Sequence, residues 1–503
     1  MKKTIFFATI IALLAFKPTN QNQLESKILK IKSNGTLEYI ADKKGNIIPD
    51  FSRVGYHQGD KPIPEVPIVK IITAEGDDHQ NAIQNAINEV SMMPAKKNGL
   101  RGAILLKKGI YKIPGTLEIK IGGIVLRGEG DSQTGTKIIA TGKGQRTLIR
   151  ISGDGSLKEV KDSRVKIKTP YVPVGSYSFE VETAASFKQG DRIVLHRPGT
   201  DNWISDLKMD RMIERAGTKQ WQASGYHLNF ERKIVGIEGN TITLDNPVVM
   251  EMENKYGGGY IYKYNFEGRI SEIGVENILF ESEYKGNHDE DHAWVAVSYN
   301  KAENCWVKNI TSKYFGNSCV SLGNSAKQIT VMDAKCLDAK SIITGGRRYS
   351  FNNDGQLNLF MNLETTEGRH DYVTGAKTLG PNVFYNCKST GTHADIGPHH
   401  RWAVGTLYDN ISTDGEINVQ DRGNWGSGHG WAGVTQVLWN CKVKRAAIQS
   451  PWVSGSNYSI GTTGEKYNGR LEGKPDGIWI DHNKGDFKPQ SLYILQLSAR
   501  KKR

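Results

Sequence analysis

The sequence predicts an all-β chain wound as a right-handed parallel β-helix, on three observations. A 22–30-residue repeat runs through the second half, short β-prone runs closed by glycine precede it, and the composition holds 55 Gly against 16 Pro. Many tight turns and few rigid linkers suit a solenoid, which lengthens by adding coils to one core rather than by adding domains.

The chain opens with Met1-Lys2-Lys3, an apolar run from Thr4 to Phe16 and a polar continuation from Lys17 to Gln23. A basic start and a short apolar stretch read as a secretory signal peptide over 1–23, and the run is too short for a spanning helix. The rest, 24–503, is expected to form one β-helix domain in the periplasm or outside the cell, with no membrane insertion. After a polar lead-in, Asp77-Asp78 precedes Ile83, Ala86, Ile87 and Val90 at helical spacing. This predicts a short helix with acidic residues at its N-terminus, capping the open end of the solenoid. Strand-like runs follow at 102–106, 117–121 and 123–130. Residues at about 165–265 break the pattern, and their strand-like runs Asp191–His196 and Asn240–Leu244 flank a polar stretch from Trp203 to Trp221. They read as a β-rich insertion that either contacts a ligand or only decorates the helix.

From 272 onward, Asn309, Asp333, Asn362, Asn386, Asn410 and Asn440 each follow a β-prone triplet, at steps of 24, 29, 24, 24 and 30 residues. One coil of three short strands needs about 22–26 residues, so the long steps carry loops. Asn or Asp at equivalent points suits an inward bend whose side chains satisfy one another along the stack.

Coils stack about 4.8 Å apart, so equivalent positions form columns. Counted from the aligned Asn/Asp, position +15 gives Arg348, Lys377 and Arg401, and position +7 gives Lys340, Arg369 and His393. Both columns are cationic and suited to an anionic ligand. The same coils hold five of the twelve His: His370, His393, His399, His400 and His429. Arg422 lies among them, and Trp402 and Trp431 offer ring faces to a sugar. Such a set fits β-elimination on a uronic acid. The proton on C5 is α to a carboxylate; an Arg neutralises that carboxylate, a base takes the proton and an acid assists departure of the C4 oxygen. His399 or His400, with His370, are the candidate base and acid, and Tyr372 is a secondary candidate. Arg401 and Arg422 are the first candidate carboxylate binders; Arg348, Arg369, Lys377, His393, Trp402 and His429 complete the candidate substrate contacts.

The formal charge is +13, and +10 without Lys2, Lys3 and Lys17. On an exported protein this points to an acidic polysaccharide rather than to nucleic acid. The five Cys, at 305, 319, 336, 387 and 441, have no metal-knuckle spacing and read as buried packing residues. His288-Asp289-Glu290-Asp291-His292 carries ligands a divalent metal such as calcium would accept. Consecutive residues on a strand face opposite ways, so an exposed acidic loop is the plainer reading. No cofactor is otherwise implied.

The stretch from Asp77 to Gly130, with its helix, strand and Gly109-Ile110-Tyr111 turn, resembles the start of pectate-lyase-like parallel β-helix proteins. The His399-His400-Arg401-Trp402 region and basic surface resemble marine-bacterial ulvan-degrading proteins, among them an oligosaccharide dehydratase. That resemblance implies a carbon–oxygen lyase forming a 4,5-unsaturated uronate at the non-reducing end. An endo-acting lyase shares the chemistry. A β-helix hydrolase would instead need paired carboxylates, for which Asp371, Asp395 and Asp421 are at hand. A non-catalytic polysaccharide-binding β-helix would need no ionisable cluster.

Overall fold

The structure, a computed structural model, describes residues 27–502 apart from 33 and 486. The expected signal peptide lies outside the described residues. The chain winds into a right-handed parallel β-helix with three strand stacks. On the first, Val307, Val331, Phe360, Phe384, Tyr408 and Leu438 pair in register, coil upon coil. On the third, Tyr299, Leu322, Asn353, Thr374 and Pro398 do the same. The interior is a ladder of like side chains. Phe360, Phe384 and Tyr408 stack ring on ring at 4.7 and 5.5 Å, and all five Cys are buried and unpaired.

The repeated Asn/Asp residues mark the bend between the first two stacks. Asn309, Asp333, Asn362, Asn386, Asn410 and Asn440 have φ between 50° and 56°, a left-handed conformation that Asn and Asp adopt more readily than other L-residues. Their side chains do not turn inward as expected. They lie at the half-exposed or exposed rim, where Asn362 donates to Asp333 at 3.0 Å and Asn386 to Asn362 at 2.7 Å. The next residues, Ile310, Ala334, Leu363, Cys387, Ile411 and Cys441, enter the core instead. An amide there would lose water without gaining a partner among apolar neighbours.

Helix His79–Met92 begins where Asp78 accepts the Asn81 N–H at 3.1 Å, and it buries Ile83, Ala86, Ile87 and Val90 in the core of the first coils. The chain leaves the solenoid after Ser152 and rejoins it at Ile270. Between these points lies a separate antiparallel sheet, centred on Arg192–Arg197, Leu228–Glu238 and Tyr260–Asn265. Two devices dock it on the coils. Glu231 is clamped by Arg269 at 2.6 and 2.7 Å and by Lys327 of the solenoid at 3.0 Å. At the other end, Trp203, Trp221 and Trp402 meet edge to face, and Trp431 joins the same apolar cluster. On the first stack's outer face, the lead-in residues Ile28, Leu29 and Phe51 pack with Leu492 and Tyr493 of the C-terminal helix Leu492–Lys501 over Leu359, Val383 and Leu407. Among the described residues no helix is long and apolar enough to cross a membrane.

Candidate functional site

The third stack positions a cleft of about 490 Å³. Asp395, the first residue of strand Asp395–Pro398, lines it, and His399 and His400 follow on the turn after the strand. Tyr349 and Arg369 enter from the two preceding coils. Arg422, Trp425 and His429 come from the following coil, with Arg470 above them. His399 is the hub of the rings. Its centroid lies 4.5 Å from His370, 5.1 Å from His400, 5.2 Å from His429 and 5.4 Å from Tyr349. His400 and His429 close a triangle at 5.0 Å.

The imidazoles are built to stay neutral. Burial first, then nearby positive charge, Arg422 in every case, pushes all four below the ordinary value of 6.5, with Asp395 opposing the shift only in part at His370. His370 and His429 fall to about 4 and His400 to about 3. His370 lies behind Tyr349 and His399 and does not line the cleft. Its Nδ1 lies 2.9 Å from the Asp395 carbonyl oxygen, which only accepts, so Nδ1 carries the proton and the unpartnered Nε2 the lone pair. Burial raises the Tyr349 phenol, which therefore keeps its proton. Asp395 is the single carboxylate among the cleft residues, and Arg422 is bound to it. Burial acts against its charge, but the Arg422 guanidinium holds it below the usual carboxylate range. Arg422 is thus neutralised by the protein. Arg369 donates to the Gly345 carbonyl and has no carboxylate partner among the described residues, leaving its charge open to a ligand.

Of the residues expected here, His399, His400, His429, Arg369 and Arg422 meet in the cleft, with His370 behind them. The others do not. Tyr372 is fully buried in the helix core, its hydroxyl donating to the Leu363 and Lys388 carbonyls at 3.2 and 2.5 Å. Trp402 is fully buried against the insertion, its ring edge to face with Trp203 and closed to a sugar. Arg348 is buried and spent on the Ser341, Glu367 and Asn287 carbonyls. His393 pairs with Glu367 at 2.8 Å, Arg401 binds Ser427, and Lys377 donates to the Gly225 carbonyl at 2.8 Å. Neither predicted column forms as counted. Strand pairing aligns Arg348 with Arg369 and His393, and Lys377 with Arg401, because the long loop between Leu337 and Phe351 shifts the count. Lys340 falls outside both, bound to Asn287 and Asp338. In the 288–292 segment, His292 is buried between Ser282 and the Lys340 carbonyl, Glu290 pairs with Arg347, and Asp291 accepts the Gly144 N–H. Among the described residues no three His, Cys, Asp or Glu side chains are grouped to hold a metal ion.

Tyr349, Trp425 and Arg470 were not foreseen. Tyr349 pairs one coil before His370, a relation visible only once the register is known. Arg470 lies over the Trp425 ring at 4.7 Å. The insertion's part in the site was also hidden. Its residues 207–221 brace the loop carrying Trp425 and His429: Lys219 N–H donates to Ser427 O at 3.2 Å, Trp221 Nε1–H to Gly428 O at 3.3 Å, and Arg215 to Gly426 O at 3.2 Å. Gly430, at φ 58°, lies so close to Trp221 that a Cβ there would come within 2.6 Å of its ring. The stretch from Trp203 to Trp221 is a buttress, neither a decoration nor a wall of the cleft.

No family model matches the chain, and no curated protein matches it in sequence. Among solved structures, it is similar to the tailspike protein gp49 from Pseudomonas phage LKA1 at 12% identity and a TM-score of 0.34, over 82% of this chain and 72% of that one. A structure described as a glycoside hydrolase matches at 10% identity and a TM-score of 0.27, over 85% and 98%. The Yersinia enterocolitica family 28 exopolygalacturonase matches at 10% identity and a TM-score of 0.22, over 83% and 76%. Likenesses this distant carry no argument about activity, which rests on the cleft itself.

Proposed function

We propose that the protein is a carbon–oxygen lyase acting by β-elimination on a uronic acid residue of an acidic oligosaccharide of the sulfated, ulvan type. Water leaves from C4 at the non-reducing end. The observation that carries this is the cleft's inventory: neutral imidazoles, a protonated phenol and an uncommitted guanidinium surround a lone carboxylate already bound to Arg422. Hydrolysis by a carboxylate pair needs two carboxyl groups facing the bond. Asp371 is buried among Ser350 and Thr392, and Asp421 is buried against Lys474, so neither supplies the second.

In this reading Arg369 binds the uronate carboxylate and draws charge from C5. His399, at the centre of the ring cluster, accepts the C5 proton. The electron pair forms the C4=C5 bond as the C4–O bond breaks, and Tyr349 gives its proton to the departing oxygen. The uronate brings the negative charge that raises the imidazole's basicity once bound. His370, with its tautomer set by Asp395, positions His399 and Tyr349.

The test is incubation with uronate-terminated oligosaccharides, read by ultraviolet absorbance and mass. Loss of one water with new conjugated absorbance supports the proposal. Absorbance with chain cleavage assigns an endo-lyase, and cleavage without absorbance a hydrolase. Full activity in His399→Ala removes that residue from the mechanism.

A further inference from the structure

The acidic segment 288–292 lies outside the cleft but is tied to it. Its own turn is fixed by Asp289, which accepts the Lys285 and Asp291 N–H groups at 2.8 and 2.9 Å, and by Asp291, which accepts the Gly144 N–H at 3.0 Å. Residues 287–292 then hold the loop between Leu337 and Phe351 at three of its side chains or carbonyls. Lys340 donates to Asn287 Oδ1 at 3.1 Å, and its carbonyl oxygen accepts from the His292 ring at 2.7 Å. Arg348 donates to the Asn287 carbonyl at 3.3 Å. Between them, the Arg347 guanidinium meets Glu290 through two bonds, from Nε at 2.6 Å and from Nη2 at 2.9 Å. The third nitrogen of that guanidinium lies against the tip of the loop. Gly345 has φ 63°, and a Cβ there would fall 2.7 Å from Arg347 Nη1. Gly345 and Gly346 line the cleft, and the Gly345 carbonyl accepts from Arg369. A continuous set of contacts therefore runs from Glu290 through Arg347 and Gly345 to Arg369.

We propose that Glu290 and Arg347 are positioning residues: they fix the Gly345 carbonyl and, through it, hold the Arg369 guanidinium in place before an anionic sugar arrives. The proposal rests on the reading of Arg369 as the uronate binder. A carbonyl suits this task better than a carboxylate, because it orients a guanidinium without cancelling its charge. Arg422, bound to Asp395, shows the other case. Ordering one long side chain ahead of binding is worth about 2- to 12-fold in affinity. The brace acts on Arg369 rather than on the whole loop, since Tyr349 at the loop's end is anchored separately. Asn317 accepts its N–H at 3.0 Å, and its carbonyl accepts from Ser318 at 2.6 Å. The Glu290 and Arg347 side chains are each 27% exposed, so breaking the pair strands no charge in the core.

The experiment measures turnover by ultraviolet absorbance and affinity by calorimetry on a uronate-terminated oligosaccharide, with thermal unfolding to show that each variant is folded. Glu290→Gln and Arg347→Met break the pair from its two sides. Each is expected to lower kcat/KM and affinity about fivefold, and the two together no further, because they remove one contact. Arg347→Lys, which keeps the charge but not the paired bonds, should recover part of the loss. The decisive comparison is made in an Arg369→Ala background, where Glu290→Gln should cost nothing more. A wild-type rate and affinity in Glu290→Gln, or the same fivefold loss with Arg369 already removed, overturns the positioning role. If no conjugated absorbance arises, the elimination reading fails on its own, and the affinities of the same variants still decide the positioning: a loss in Glu290→Gln that disappears in the Arg369→Ala background sustains it, and any other pattern overturns it.

Discussion

Acidification should weaken this protein through one side chain in particular. His370 is 1% exposed, and its imidazole is held near a pKa of about 4 against 6.5 for an ordinary histidine. Above pH 6.5 it is neutral in both the folded and the unfolded chain and makes no difference between them. As pH falls below 6.5, the unfolded chain takes the proton first, while the folded one refuses it until about 4. The unfolded state thus binds more protons across this window, and stability falls with pH. The shift from 6.5 to about 4 costs about 2 kcal/mol at pH 5 and about 3 kcal/mol at pH 4. Other groups titrate over the same range, so the quantity to measure is a difference of differences. Urea unfolding of the wild type and of His370→Gln at pH 7.5 and pH 5 gives two pH-dependent losses. The wild type should lose about 2 kcal/mol more than the variant. Equal losses would show that His370 is not held neutral in the folded chain, and the argument for a neutral histidine cluster would lose its most buried member.

Three further outcomes follow from the same geometry. Arg369→Ala should lower kcat/KM about 100-fold or more, with partial recovery in Arg369→Lys, because the uncommitted guanidinium meets the charge developing on the uronate; an unaffected rate assigns the carboxylate elsewhere. The kcat/KM profile should stay level from pH 8 to about 5 and fall with an apparent pKa of about 4 or below, since the free enzyme's histidines titrate there; an acid limb between 6 and 7 would contradict a neutral cluster. Trp221→Ala should cost about 3–5 kcal/mol of stability and lower kcat/KM through the loosened His429 loop, whereas Trp221→Phe keeps the ring and loses less of both, as followed by thermal unfolding and initial rates.

The fold was legible because a solenoid repeats its instructions. Six left-handed Asn or Asp residues announce the same bend six times, and the register read from them matches the strand pairing residue for residue. The direction of those side chains was not legible, since a sequence position does not say which side of a left-handed bend faces water. The site was half legible. His399, His400 and His429 stand out by density, and they do share a cleft. Columns counted across Leu337–Phe351 failed because a loop of unknown path adds residues without adding a coil. Charge alone misled as well: Arg348 and Arg422 look alike in sequence to Arg369, but one is spent on carbonyls and another on Asp395. Tyr372 and Tyr349 were exchanged for a similar reason. Strand alternation sends Tyr372 inward, while Tyr349 sits on a turn whose exposure only the register reveals. The Trp203–Trp221 stretch gave no sign that it supports a loop more than 200 residues away.

The most direct test of elimination is to run the reaction in ¹⁸O-labelled water on a uronate-terminated oligosaccharide and weigh the products. Elimination with water as the leaving group forms no new C–O bond to solvent. The account predicts a single product lighter by one water, carrying no label and absorbing in the ultraviolet. A cleaved product that has gained labelled oxygen and shows no absorbance would contradict it, and would return the cleft to hydrolytic chemistry.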